Sequence, residues 1–502
     1  MPESYIEKIL KARVYEVAQQ TPLQEAKLLS KRLGNAVMIK REDMQPVFSF
    51  KLRGAYNKLV NLSVDLQKKG VITASAGNHA QGLALSAKKL GVKATIVMPK
   101  TTPPIKVKAV QSFGGHTVLF GDTYDEAYAH AMELTQEHGY TFIHPYDDPD
   151  VIAGQGTVAM EILQQCSGPI HSIFIPVGGG GLIAGMAAYI KHLRPDIKII
   201  GVEPEDAACL YRALETKERV ILDKVGIFAD GVAVRQVGAE PFRIAQTCVD
   251  EVILASTDEL CAAIKDIFEE TRSIAEPAGA LGVAGLKKYV AREGLTGQVL
   301  IAIDSGANVN FDRLRHIAER ADVGELREAL LAVTIPETPG SFKQFCKILG
   351  KRSVTEFNYR YADAQAAHIF VGVELHKPEE KDAIIESLAS HGYNVLDMTQ
   401  NELAKLHIRH MVGGRTQQLT DERLFRFEFP ERPGALLHFL HGMEEKWNIS
   451  LFHYRNHGSA YGRVLVGIQV PEKESSLFND FLEKLGYVYT DETDNTAFKL
   501  FL

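Results

Sequence analysis

A lysine that is to attack an aldehyde must be neutral at working pH, which requires an amine partly withdrawn from water. Lys51 stands in such a setting, between Phe50 and Leu52 in VFSFKLRGA at residues 47–55. The same context suits a lysine whose stem covers apolar neighbours while its ammonium reaches solvent, so the residue alone leaves both readings open. A second stretch, SAGNHAQG at 75–82, follows the apolar run VITA. Its Ser75, Gly77, Asn78 and His79 offer backbone N–H groups and polar side chains to a ligand at a strand end, or simply start a helix with Ser75 or Asn78 as cap. The third, FIPVGGGGLIAG at 174–185, passes from a strand over Ile173 to Val177 through Gly178, Gly179, Gly180 and Gly181 into a helix from Leu182. Four glycines admit a ligand close to the backbone, and a helix start adds N–H groups and a positive dipole end, so the expected guest is a phosphate.

The kind of phosphate follows from what is missing. No Gly-Lys-Ser/Thr follows the glycines, which excludes a Walker loop. The dinucleotide spacing counted back from Gly185 requires a glycine where Leu182 stands. Glu203, ending the next strand, could still imitate a ribose-binding acid, which keeps a nucleotide-dependent oxidoreductase as the alternative. A desolvated lysine, a phosphate cradle and polar turns together fit pyridoxal phosphate, whose aldehyde needs the amine and whose phosphate needs the glycines.

These turns need a scaffold that gathers strand ends. Between about residues 70 and 305, β-branched runs (ATIVMP, HTVLF, YTFIHP, HSIFIPV, IKIIGVEP, QVLIAID) alternate with amphipathic stretches. That alternation predicts an α/β domain with a mainly parallel sheet, in which ligands sit beyond the carboxyl ends of the strands. Beyond residue 322 the pattern changes and a repeat appears. Residues 332–360, AVTIPETPGSFKQFCKILGKRSVTEFNYR, align with 426–455, RFEFPERPGALLHFLHGMEEKWNISLFHYR. Each copy has a strand, a P-E-x-P-G turn, a helix and a strand ending in Tyr-Arg, and continues in βαββαβ order, a ferredoxin-like unit.

Composition removes several classes of function. The chain has 502 residues, 45% hydrophobic and 24% charged, with a net charge of −7 and no long basic run. This predicts a soluble multidomain protein with no nucleic-acid partner and no affinity for an anionic membrane. No apolar run approaches the ~18 residues of a membrane span. The five cysteines lack metal-type spacing and read as reduced thiols, and the charged start MPESYIEKIL is not a signal peptide, so a cytoplasmic location is expected.

The motifs SFKLRGA, SAGNHAQG, HPYDDPDVIAGQGT, PVGGGGLIAG, GVEPEDA, ADGVAV, EPAGALG and DSGANVNFDRLR occur in one order along the chain. In that order they resemble the fold type II pyridoxal phosphate enzymes over residues 1–320, and within them the biosynthetic threonine dehydratase family over the whole length. The resemblance implies two parallel-sheet lobes, with the smaller at about 42–145 inserted in a catalytic domain of 1–322. ACT-like repeats at 323–415 and 416–502 would follow. It implies that Lys51 forms the Schiff base and removes the substrate's Cα proton, with Phe50 beside it. Asn78 would contact the cofactor's 3-hydroxyl, and Ser75, Ala76, Gly77, Asn78 and His79 would receive the substrate carboxylate. Gly178 to Gly181 and Leu182 would hold the phosphate, and Ser305 would face the pyridine nitrogen.

Two departures narrow the expectation. Racemases of this group carry a serine where Ala76 stands, and a methyl donates no proton. Their divalent site aligns with Glu203 and Ala207, but its aspartate falls on Cys209, so no metal is expected. The implied reaction is deamination of L-threonine to 2-oxobutanoate and ammonia, with L-serine a poorer substrate, inhibition by isoleucine, relief by valine and a homotetrameric assembly. In the repeats, Gly340 and Gly434 would leave backbone groups free for an effector. Tyr359 and Tyr454, at matching positions, either line its pocket or pack the sheet.

Overall fold

The computed structural model describes residues 3–226, 228–350, 352–361, 365–406, 408–410, 419–430, 435–443, 446–455, 461–495 and 498. It divides into two compact units, Met1–Ala321 and Asp322–Leu502. Ten strands lie in the first: β1 (Leu23–Glu25), β2 (Ala36–Arg41), β3 (Val71–Ala74), β4 (Ala94–Met98), β5 (His116–Leu119), β6 (Thr141–Phe142), β7 (Ser172–Pro176), β8 (Lys198–Pro204), β9 (Glu251–Ala255) and β10 (Val299–Asp304).

They form two sheets. One has the order β1-β2-β10-β7-β8-β9, parallel except for β1, and the other is β5-β4-β3-β6, parallel throughout. Parallel strands need crossover helices, and those helices cover both faces of the larger sheet. Ile301 and Ile303 of β10 join one buried cluster with Ile173 and Ile175, whereas Leu300 and Ala302 join a second with Phe174. Burial on both faces is why β7 reads as an unbroken apolar run rather than an alternating one.

Three helices cross at glycines and tie the sheets together. A Cβ on Gly154, in the helix Pro149–Gln165, would lie 2.7 Å from the Arg53 carbonyl oxygen in the helix Lys51–Val60. A Cβ on Gly185, in the helix Gly181–Leu193, would lie 2.3 Å from the Ile152 oxygen. Beside this crossing, the fully buried Arg53 donates from Nε and Nη2 to Glu42, both at 2.8 Å, and from Nη1 to Glu161 at 2.6 Å. The equally buried Lys40 donates to the other Glu161 oxygen at 2.6 Å. Two cations and two carboxylates neutralise one another in the core, two residues along the chain from Lys51.

The second unit is a single eight-stranded sheet. Its strands are β11 (Glu328–Pro336), β12 (Val354–Arg360), β13 (Ala366–Glu374), β14 (Asn394–Asp397), β15 (Glu422–Pro430), β16 (Asn448–Arg455), β17 (Tyr461–Gln469) and β18 (Val488–Asp491), in the order β14-β11-β13-β12-β16-β17-β15-β18. Each half has ferredoxin-like order, and these are the two ACT-like repeats. The halves join where the two Tyr-Arg strands, β12 and β16, pair antiparallel with Tyr359 opposite Phe452 and Phe357 opposite Tyr454.

Candidate active site

A cavity of about 1060 Å³ opens at the carboxyl ends of β3, β7 and β10. Lys51, Phe50, Ser75 through His79, Gly178 through Gly181, Leu182 and Ser305 all line it. The loop that delivers Lys51 is pinned to the end of β10: Ser49 bridges Gly306, the Phe50 N–H donates to the Ser305 oxygen at 3.3 Å, and the Ala307 N–H donates to the Phe48 oxygen at 2.9 Å. Phe48 takes a left-handed φ of 56°, uncommon for an aromatic residue, as the chain turns into the helix. The Lys51 Nζ lies 5.3 Å from the Phe50 ring centroid. Burial lowers its pKa to about 8, against the opposing pull of Glu276.

Among the helix starts that face the cavity without a side-chain cap, two are opened by glycine. Gly77 precedes the helix Asn78–Leu90, and Gly180, with φ of 91°, precedes the helix Gly181–Leu193, which begins one residue before the expected Leu182. First-turn N–H groups there have no helical acceptor and are available to an anion. Close packing explains why side chains are absent from the glycine loop: a Cβ on Gly179 would lie 2.2 Å from the Tyr146 ring, and one on Gly178 would lie 2.9 Å from the Val232 Cα. The loop is thus a cradle that any larger residue would fill. Ser305 is buried, its Oγ donating only a long 3.4 Å bond to the Ala278 oxygen, so the hydroxyl can turn to a ring nitrogen. Uncapped N–H groups, a desolvated amine and this hydroxyl fit pyridoxal phosphate.

Around Asn78 and His79 stand several polar groups not singled out from sequence. The Asn78 Nδ2 donates to Glu276 Oε1 at 2.5 Å, and its Oδ1 accepts from the Asn308 Nδ2 at 2.7 Å. His144 Nδ1 accepts from the Asp147 N–H at 2.9 Å and the Tyr146 N–H at 3.3 Å, while burial lowers its pKa. His79 Nε2 donates to the Ile143 oxygen at 3.1 Å, and its buried Nδ1 has no partner among the described residues. Burial, with Lys51 nearby, pushes its pKa down to about 3, so His79 is neutral. Ion pairs from Lys106 to Asp230 and from Arg235 to Asp125, the latter at 3.2 Å, border the opening. Glu276, His144 and Asn308 lie within quoted motifs, the only signal that could have marked them.

Glu203 is turned away from this cavity. Its carboxylate accepts from the Leu210 and Tyr211 N–H groups at 2.9 and 2.8 Å and from the Cys209 thiol at 3.6 Å. Burial pushes its pKa up to about 7. Cys209 also donates to the Gly178 oxygen at 3.4 Å, tying the glycine loop to the end of β8. Fully buried and bonded to its own loop, Glu203 is not placed to meet a ribose in the cavity. No group of three or more His, Cys, Asp or Glu side chains suited to a metal occurs among the described residues.

In the second unit a small pocket of about 30 Å³ is lined by Glu337, Gly340 and Ser341 from the first repeat's turn, and by Leu440, Met443, Trp447 and Asn448 from the second repeat. Gly340 takes φ of 90° ahead of the helix Ser341–Leu349. Tyr359 is buried behind the pocket, its hydroxyl donating to Glu337. The other Glu337 oxygen accepts from the Asn448 Nδ2 at 3.2 Å, and burial raises the Glu337 pKa. Tyr454 sits on β16 away from this lining. Gly434 lies outside the described residues.

Comparison with known proteins agrees along the chain. Residues 14–306 match the pyridoxal-phosphate dependent enzyme family, and residues 319–408 and 413–502 match the C-terminal regulatory domain of threonine dehydratase. L-threonine dehydratase biosynthetic IlvA of Burkholderia multivorans is 58% identical over 501 residues, 99% of each chain. The Escherichia coli protein of the same name is 55% identical over 499 residues, 99% of this chain and 97% of that one. Among solved structures, the processed form of threonine deaminase isoform 2 from Solanum lycopersicum superposes with a TM-score of 0.63 and 50% identity, over 64% of this chain and 93% of that one. Maize serine racemase gives 0.59 and 31%, over 62% and 95%.

Proposed function

For a chain that belongs to the biosynthetic threonine dehydratases, pyridoxal phosphate enzymes with a regulatory domain, we propose deamination of L-threonine to 2-oxobutanoate and ammonia, the committed step toward isoleucine. L-serine is the poorer substrate. The observation that carries this reading is the convergence of Lys51, Asn78, the uncapped glycine loop and Ser305 on one cavity.

Pyridoxal phosphate, when bound, supplies the aldehyde that joins the amine and a conjugated ring that accepts electrons from Cα. Lys51 would hold the group through its amine, and the same amine, when free, would take the proton from the substrate's Cα. The N–H groups of Gly178 to Gly181 and Leu182 would hold the phosphate, and those of Ser75 to His79 would orient the substrate carboxylate. Ser305 would present a hydroxyl rather than a carboxylate to the ring nitrogen and so compel its protonation less than an aspartate would. Ala76 carries no proton donor for the opposite face of Cα, which disfavours racemisation.

Isoleucine inhibits and valine relieves, through the pocket at Gly340 with Tyr359 behind it; Gly434 and Tyr454 are the matching candidates in the second repeat's sequence. Glu337 offers a carboxylate to an effector's ammonium, and Leu440, Met443 and Trp447 offer apolar surface to a branched side chain. We divide the chain at about 322 and 415, with the smaller catalytic lobe at about 42–145, and place it in the cytoplasm as a homotetramer.

Lys51→Ala tests the assignment. The variant should keep the fold, lose the visible cofactor band and lower threonine turnover by about a thousandfold or more. Substantial turnover surviving in the purified variant would overturn it.

A further inference from the structure

Glu276 opens the helix Pro277–Glu293 at the position where a side chain ordinarily bonds back to the first turn, yet it makes no such bond. Its carboxylate faces Asn78 instead, across 198 residues of chain. Two glycines clear the ground around it: a Cβ on Gly306 would lie 2.9 Å from Glu276 Oε1, and one on Gly231 would lie 3.3 Å away. The Glu276 N–H donates to the Gly306 oxygen at 3.0 Å, fixing the residue to the turn after Ser305.

An amide has an oxygen that accepts and a nitrogen with two hydrogens to donate. The Asn78 oxygen is taken by Asn308, whose own Nδ2 also donates to the Val47 oxygen at 2.8 Å. One Asn78 hydrogen is taken by Glu276. Rotating the amide by half a turn would set its oxygen against the carboxylate and its NH2 against the NH2 of Asn308, so one orientation survives. Both Asn78 and Glu276 are buried, and both line the cavity with Lys51.

We propose that Glu276 is a positioning residue: with Asn308 it locks the Asn78 amide so that the remaining N–H faces the cavity, and Asn78 meets the cofactor's 3-oxygen only as a donor. This rests on the reading that Asn78 contacts that oxygen. A donor at that point favours the ionised oxygen and the longer-wavelength form of the bound cofactor. Lys51 and Lys106 draw Glu276 toward its ionised form, while burial and Asp230 oppose this and raise its pKa to about 7. A neutral carboxyl group keeps a carbonyl oxygen, so it can hold Asn78 in either state.

The test is the visible spectrum of the holoenzyme, read with steady-state kinetics. Glu276→Leu should lower the ratio of longer- to shorter-wavelength absorbance by about threefold or more and reduce kcat in parallel, with KM for threonine within about twofold. Glu276→Gln, whose amide oxygen still accepts from Asn78, should restore both. Asn308→Ala, which buries no lone charge and serves if the leucine variant fails to fold, should move the band in the same direction. An unmoved band in Glu276→Leu or Asn308→Ala overturns the proposal, as does a glutamine variant as shifted as the leucine one. If the band vanishes in Lys51→Ala yet stays put in those variants, the reading of the site stands and only the role of Glu276 falls.

Discussion

At Lys51, burial leaves an amine with a pKa of about 8, far below that of a lysine in water. Its depressed value sets the pH course of cofactor capture. Below about 8 the buried amine of the apoenzyme is protonated and cannot attack an aldehyde, and above it the neutral form predominates. The rate at which apoenzyme regains its visible band with added pyridoxal phosphate should therefore climb about tenfold per pH unit below 8 and level off above. A rate still climbing in proportion beyond pH 10 would describe an unshifted lysine. Lys51, Asn78 and the four glycines were legible as candidates because each sits in a local run whose residue types suggest a task, whereas Ser305 entered only through the family resemblance. Glu276 and Asn308 were not, because their meaning lies in a partner: Asn308 bonds Asn78 across 230 positions, and nothing local reports that contact.

Among the elements, the strands that read as β-branched runs were legible, including β4, β7, β8 and β10. β2 was harder to see: AVMIKR ends in Lys40 and Arg41, two cations that a hydropathy pattern assigns to the surface, yet both are buried against carboxylates. The glycines at the helix crossing carry a prediction of their own. A Cβ on Gly154 would meet the Arg53 oxygen and the Gly54 Cα, both at 2.7 Å, and backbone cannot step aside as a side chain can. Gly154→Ala should cost about 1–3 kcal/mol of stability. It should also weaken cofactor retention, because the crossing sets Lys51 against the glycine loop. Gly168→Ala, where a Cβ meets nothing within 4 Å, is the matched control. Equal denaturation midpoints for the two variants would mean that the crossing yields more readily than the distances imply.

For the whole molecule, each unit has its own sheets and its own core, which motivates a separation of function. A chain ending at Ala321 should still deaminate threonine and should ignore isoleucine, whereas the full chain should be inhibited. Inhibition that persists in the shortened enzyme, assayed side by side, would place the sensor in the catalytic unit. The repeat itself was legible from its P-E-x-P-G motifs, since a Pro-Gly turn and a ferredoxin-like order both leave local marks. That the copies merge through β12 and β16 was not, because pairing between distant strands has no local signature.

The pocket beside Gly340 is narrow, about 30 Å³ against about 1060 Å³ for the catalytic cavity. Its smallness has a consequence in time. An effector that must wait for the pocket to open binds no faster than the opening, however much of it is supplied. Inhibition by isoleucine should then set in with a lag, and the rate of onset, followed in a stopped-flow assay of turning-over enzyme, should reach a ceiling as isoleucine is raised. A rate that rises in proportion to concentration without limit would show that the pocket is open before the effector arrives. With such a ceiling, the enzyme would average over brief swings in isoleucine and answer only to those that outlast the opening step.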